Sequence, residues 1–191
     1  MLSSTQSLTE QLPDILDELR ETQQFFSVWR AFTNPENQDA FEQTMKRYPL
    51  FFDSVVRAHL SAVIVALYRI YDRGPGSKSL RQLYEDTTSL NILEQKVIEK
   101  TSRLDSEIQA IWKKVCILRS NVFGHRSAKL SPEEAFEKAG LSPNELAEMI
   151  QLAQRLFNFI SRTLTRSSHA FNLSATRDVS KLMKRLGTNA L

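Results

Sequence analysis

Between Pro49 and Gly74 the chain carries PLFFDSVVRAHLSAVIVALYRIY, a run from Leu50 to Tyr71 that is apolar on nearly every face. A segment of that length and uniformity predicts a central core helix, around which the rest of the fold has to be arranged. Gly74-Pro75-Gly76-Ser77 stops it sharply, because two glycines and a proline cannot continue a helix. From Leu90 a second stripe follows, through Leu93, Val97, Leu104, Ile108, Ile111, Trp112, Val115 and Leu118, close to helical spacing. The two are expected to lie antiparallel, joined through a connection that holds a short helix over Ser79–Thr87.

The flanks read the same way. Apolar residues from Leu8 to Phe32 recur at helical spacing, and Asn34-Pro35-Glu36-Asn37 reads as a break before a short helix over Gln38–Lys46. Ser131-Pro132-Glu133-Glu134 and Ser142-Pro143-Asn144-Glu145 each offer a Ser cap, a Pro at the first position and a Glu at the third, the pattern of a capping box. The second opens a last core helix, about Pro143 to Leu164, and Thr176–Leu186 suits an amphipathic basic helix. Only 5 Gly and 6 Pro punctuate 191 residues, too few for the turns of a β-rich fold. The expected class is all-α, an antiparallel helical bundle with extra terminal helices. The domain division is a helical domain over 1–172 and a basic tail over 173–191.

A single cysteine, Cys116, excludes an internal disulfide framework and a zinc site with several Cys ligands, and it reads as a buried apolar residue. No signal peptide is visible at the N-terminus, and no apolar run is judged to reach membrane-span length, so the expectation is a cytoplasmic protein with no membrane partner. Net charge is +3, unevenly spread: residues 1–50 hold 4 Lys/Arg against 8 Asp/Glu, and residues 151–191 hold 7 against 1. That basic segment suits a polyanion, or equally a solvated helix face that complements an acidic helix.

Phosphate loops, serine elbows, HExxH and clustered acidic metal sites are all missing from the sequence, so no metal or cofactor is expected. Of the three histidines, His59 reads as a core histidine satisfied by one hydrogen bond, and His169 as a structural or exposed residue near a helix end. His125 differs, because it follows Arg119, Ser120, Asn121 and Gly124 and precedes Arg126 at the end of a core helix. On an unbroken helix Arg119 and His125 lie roughly 120° apart. Convergence needs Gly124 to leave helical geometry or a second subunit to complete the pair. From spacing alone, the favoured reading is that Arg119 and Arg126 are cations neutralising a helix C-terminus, with Gly124 as its stop and His125 a satisfied packing residue.

The string LRSNVFGHRS resembles the R-x4-6-H motif of HEPN ribonucleases, in the form found in their abortive-infection, AbiU-like branch. The earlier ALYRIYDRGPGSKSLRQL, with Tyr68, Arg69, Tyr71, Asp72 and Arg73, resembles the same branch. The resemblance implies a dimerising helical bundle in which Arg119 and His125 are catalytic. Ser120, Asn121, Arg126 and Asp72 are the supporting candidates. This chain has Ser120 where relatives often place Asn or Asp directly after the Arg. The implied reaction is metal-independent RNA cleavage by the 2′-hydroxyl of RNA itself, in a phage-defence or toxin-antitoxin setting with an antitoxin as possible partner. Histidine moves protons near neutrality and arginine holds the charge gathering on phosphorus. The competing reading is a non-catalytic dimeric module that binds nucleic acid or a partner protein.

Overall fold

A computed structural model describes residues 2–74, 76–124 and 129–188; His125 and Arg126 lie outside the described residues. In chain order the helices are α1 (Leu2–Thr33), α2 (Pro35–Arg47), α3 (Pro49–Ile70), α4 (Leu80–Ser89), α5 (Gln95–Leu118), a π-helical turn (Arg119–Phe123), α6 (Pro132–Ala139), α7 (Pro143–Thr165) and α8 (Thr176–Thr188). Among the described residues there is no strand.

Four long helices make the bundle: α1 packs on α3 and α7, and α5 packs on α7 and α3. Their inward residues form one continuous core that includes Leu19, Ile64, Leu67, Ile108, Leu118, Met149 and Phe157. Helices α1 and α3 run antiparallel, as Glu18 meets Arg69 at one end and the Phe32 and Phe52 rings approach to 5.5 Å at the other. Antiparallel packing of α3 and α5 follows from Tyr71 against Asp105 and Tyr68 against Trp112. This is the expected pairing of the two apolar stripes, with α4 inside their connection.

The helix ends follow local chemistry. Ser131 and Ser142 each accept from the amide three residues on, at 3.2 Å, while Glu134 and Glu145 reach back to the Ser amides, at 2.7 and 2.9 Å. Both expected capping boxes therefore form. Two boundaries differ from the sequence reading. Asn34 and Pro35 do not merely break the chain; Asn34 caps α2 and Pro35 supplies its first turn, where its missing N–H is not needed. Helix α5 starts at Gln95 rather than near Leu90, because Asn91 takes a left-handed conformation (φ 53°) just before it.

Helix α8 lies against α1 and α2, with Val179 and Met183 buried beside Ala31, Phe41 and Phe52 in a small second core. Arg177, Lys181, Lys184 and Arg185 are on its exposed side.

One correction concerns α3. By length and composition it is apolar enough to cross a membrane, contrary to the expectation that no run reaches that length, because at most two charges fall within its most apolar 18-residue window. Only 28% of that window is buried, and Leu50 and Phe51 at its start are 85% and 58% exposed. The bundle thus leaves an apolar face of its central helix uncovered.

Candidate active site

The site forms where the last turns of α3 cross the C-terminal half of α5 and the π turn that follows it. Each helix supplies an aromatic residue there for a structural reason. Trp112 on α5 stacks on Tyr68 of α3, with ring centres 6.0 Å apart and planes 21° from parallel, and its Nε1–H donates to the Tyr68 carbonyl at 3.4 Å. That bond adds a second donor to a carbonyl that already accepts from the Tyr71 amide at 3.2 Å.

Next to these rings, α5 changes character. Over Arg119–Phe123 the ladder widens to a π turn, closed by the Gly124 amide donating to the Arg119 carbonyl at 2.6 Å. Short π segments inside helices concentrate at functional sites. Val122 and Phe123 keep the turn anchored by packing on the main core, and Phe123 meets Phe136 of α6 edge to face at 6.1 Å. Gly124 remains in right-handed helical geometry (φ −95°, ψ −44°). The departure from the α-helix expected at Gly124 therefore takes place upstream of it, in the five residues that begin with Arg119.

Arg119 is half-buried, and its guanidinium carbon lies 4.6 Å from the centre of the Tyr68 ring. The Asp72 carboxylate lies close enough to the Tyr68 hydroxyl to act on it electrostatically. Partial burial raises the Tyr68 pKa above its ordinary value of 10.0, and Asp72 adds to the rise while Arg119 opposes it. So Asp72 and Arg119 do come to one place, with Tyr68 as the group they share. Asp72 also accepts from the Arg73 amide at 2.8 Å, and its own carbonyl accepts from Ser79 at 2.7 Å, which ties the end of α3 to the start of α4.

The other candidates separate. Asn121 donates its side-chain amide to the Ile117 carbonyl at 2.7 Å, a bond internal to the helix end. Ser120 is exposed on the turn. Cys116 is half-buried; burial, with the Asp72 charge adding, pushes its thiol up to about 11, so little of it is thiolate at neutral pH. His59 holds one hydrogen bond, Nδ1 to the Val55 carbonyl at 2.7 Å, as expected, although it is half-buried rather than in the core. His169 is tied to α7 by Ser161 at 3.1 Å and by Asn158 on both sides of its backbone. Among the described residues, no three His, Cys, Asp or Glu side chains group as a metal site.

Beneath the site lies a polar cluster absent from the sequence reading. Asp105, buried on α5, accepts from the Tyr71 hydroxyl, from Arg81 at 3.0 Å and from Gln109 at 2.6 Å, and Arg81 also pairs with Glu85 at 2.8 Å. Three elements, α3, α4 and α5, are joined there. The cluster fixes the longitudinal register of α3 on α5, and Tyr68 and Trp112 sit directly above it on the same two helices. A charged pair four residues apart, such as Arg81 and Glu85, is the only trace it leaves in sequence. An apolar groove of about 510 Å³, lined by Phe32, Met45, Phe52 and Val56 among others, is at the far end of α3 from Tyr68.

The profile of the AbiU2 family, a HEPN family, matches residues 5–182, which is nearly the whole chain and includes both ends of the site just described. No curated protein and no solved structure gives a match.

Proposed function

The chain belongs to the AbiU2 family of HEPN proteins, and from that premise we propose that it is a metal-independent endoribonuclease of a phage-defence or toxin-antitoxin system, working in the cytoplasm. The observation that carries the proposal is Arg119, a half-buried arginine held at a π turn against an aromatic ring, inside the Arg-x5-His string of the family.

The chemistry needs few groups. The 2′-oxygen of a ribose attacks the adjacent phosphorus, its proton passes to a base, and the bond to the 5′-oxygen breaks as that oxygen takes up a proton. The products are a 2′,3′-cyclic phosphate and a 5′-hydroxyl. Arg119 is assigned the stabilisation of the charge on the phosphoryl oxygens, since its planar fork is always charged and suits them. His125 is assigned the proton transfers, which its ordinary pKa of about 6.5 permits near neutrality. Arg126 adds positive charge next in sequence. Ser120, exposed on the turn, is available to a phosphate oxygen; Asn121 and Asp72 support the site through the helix end and through Tyr68.

The protein is proposed to act as a homodimer, with two Arg/His motifs facing one cleft across a two-fold axis. The uncovered apolar face of α3 supports association, as an exposed patch of that kind marks interaction surfaces. An antitoxin protein is a further proposed partner. Light scattering at tens of micromolar should give twice the mass of the chain, and a monomer with full activity would remove the dimer from this reading.

A second reading has its own support. The exposed basic side of α8 suits non-catalytic binding of nucleic acid. Incubation of the purified protein with structured and unstructured RNA in EDTA separates the two: the nuclease cuts, whereas a binding module shifts the RNA intact.

A further inference from the structure

Two neighbours crowd the Arg119 guanidinium. One is the Tyr68 ring, 4.6 Å from Cζ. The other is Gly124: a Cβ added there would fall 3.2 Å from both Cζ and Nε of Arg119, and only 2.7 Å from the Arg119 carbonyl oxygen. The latter distance is to backbone, so any residue larger than glycine has to open the π turn, displace the guanidinium, or both. The φ of −95° asks for no glycine; the close approach of the arginine does.

We propose that Tyr68 and the bare Cα of Gly124 form a clamp that sets the direction of the Arg119 guanidinium, and that Tyr68 is a positioning residue for phosphate recognition. The catalytic consequence rests on the ribonuclease reading above; the clamp itself does not. A cation held over an aromatic ring is gripped through its delocalised carbon rather than through its N–H donors. The donors then stay available for phosphate oxygens, and a planar fork recognises those oxygens only when its edge faces them. A free arginine side chain would have to be ordered on each binding event; one held by a ring is ordered beforehand.

The ring is fixed in its turn. Trp112 stacks on it and bonds its backbone carbonyl, and the Asp72 carboxylate lies near its hydroxyl. The conspicuous Tyr-Arg-Ile-Tyr-Asp-Arg string thereby acquires a physical role: it places a ring, with a carboxylate close by, under an arginine from another helix.

The test uses the full-length protein and two readouts. In NMR spectra of the side-chain Nε–Hε groups, assigned with Arg119→Lys, the Arg119 proton should be shifted upfield by the ring current in wild type and in Tyr68→Phe. It should move away from that position in Tyr68→Leu and in Gly124→Ala. In single-turnover RNA cleavage, Tyr68→Leu should lower the rate constant about tenfold or more, the loss expected when a partly desolvated cation–π contact goes. Tyr68→Phe, which keeps the ring, should recover most of the rate. Circular dichroism confirms that each variant is folded, and Tyr68→Leu decides the matter if Gly124→Ala is not. An Arg119 resonance unmoved in Tyr68→Leu overturns the clamp. A moved resonance with an unchanged cleavage rate overturns the positioning role. If the wild type cuts no RNA, the ribonuclease reading falls, while the resonance still decides the clamp.

Discussion

The guanidinium carbon of Arg119 sits 4.6 Å above the ring of Tyr68, a residue of a different helix. A cation this close to an aromatic face, on a π turn whose closing amide belongs to Gly124, is directed rather than merely present at a helix end. Charge alone would then be an insufficient replacement. Arg119→Lys keeps the charge and loses the planar fork, so RNA cleavage should fall about tenfold or more with helical content unchanged. Steady-state cleavage assays beside circular dichroism check this; wild-type rates in the lysine variant would show that a simple positive charge suffices.

Asp105 is the keystone of the polar cluster that registers α3 on α5. It is 8% exposed, as Arg81 is 7% exposed, and removing it leaves Arg81 with Glu85 alone and takes the carboxylate acceptor from the Tyr71 hydroxyl. Asp105→Ala should cost about 1–3 kcal/mol of stability, the range for a buried donor left unsatisfied, seen as a drop in thermal midpoint. A change under about 1 kcal/mol, the range of a surface pair, would mean that the cluster is hydrated in solution and does not carry the register.

Stability should also respond to acid through Glu145. Its carboxyl is held below the ordinary 4.5 first by the Lys114 ammonium, 2.6 Å away, and then by the Ser142 amide. A carboxyl lowered in the folded state contributes stability above its unfolded pKa and loses it as pH falls through the folded value. Denaturant titrations between neutral pH and about pH 3 should therefore show a stability loss in wild type that is smaller in Lys114→Met. Equal slopes in the two proteins would contradict the assignment.

How far these features can be read in the sequence depends on the range over which each is encoded. Ser131 and Ser142, with Pro and Glu behind them, announce their helices because a capping box closes within four residues. The packing of α3 on α5 follows from two apolar stripes and the glycines between them. The π turn does not: Val122 and Phe123 continue the apolar pattern after Leu118 without a visible change of period, and Gly124 looks like a stop when its work is to leave room for Arg119. Nor does Arg81 with Asp105, since a charged residue on a helix reads as solvated until its burial is seen. The Arg119–Tyr68 contact joins α5 to α3 and depends on the register that those buried charges fix, so the motif was legible and the geometry that aims it was not.

Cleavage of RNA by the wild-type protein in EDTA, with the termini of the products identified, tests the central claim most directly. The account predicts fragments ending in 2′,3′-cyclic phosphate and beginning with 5′-hydroxyl, no cutting of DNA, and losses of about 10²–10³ for Arg119→Ala and 10²–10⁴ for His125→Ala. Failure of the wild type to cut any RNA in EDTA, or normal cutting by both variants, would contradict it.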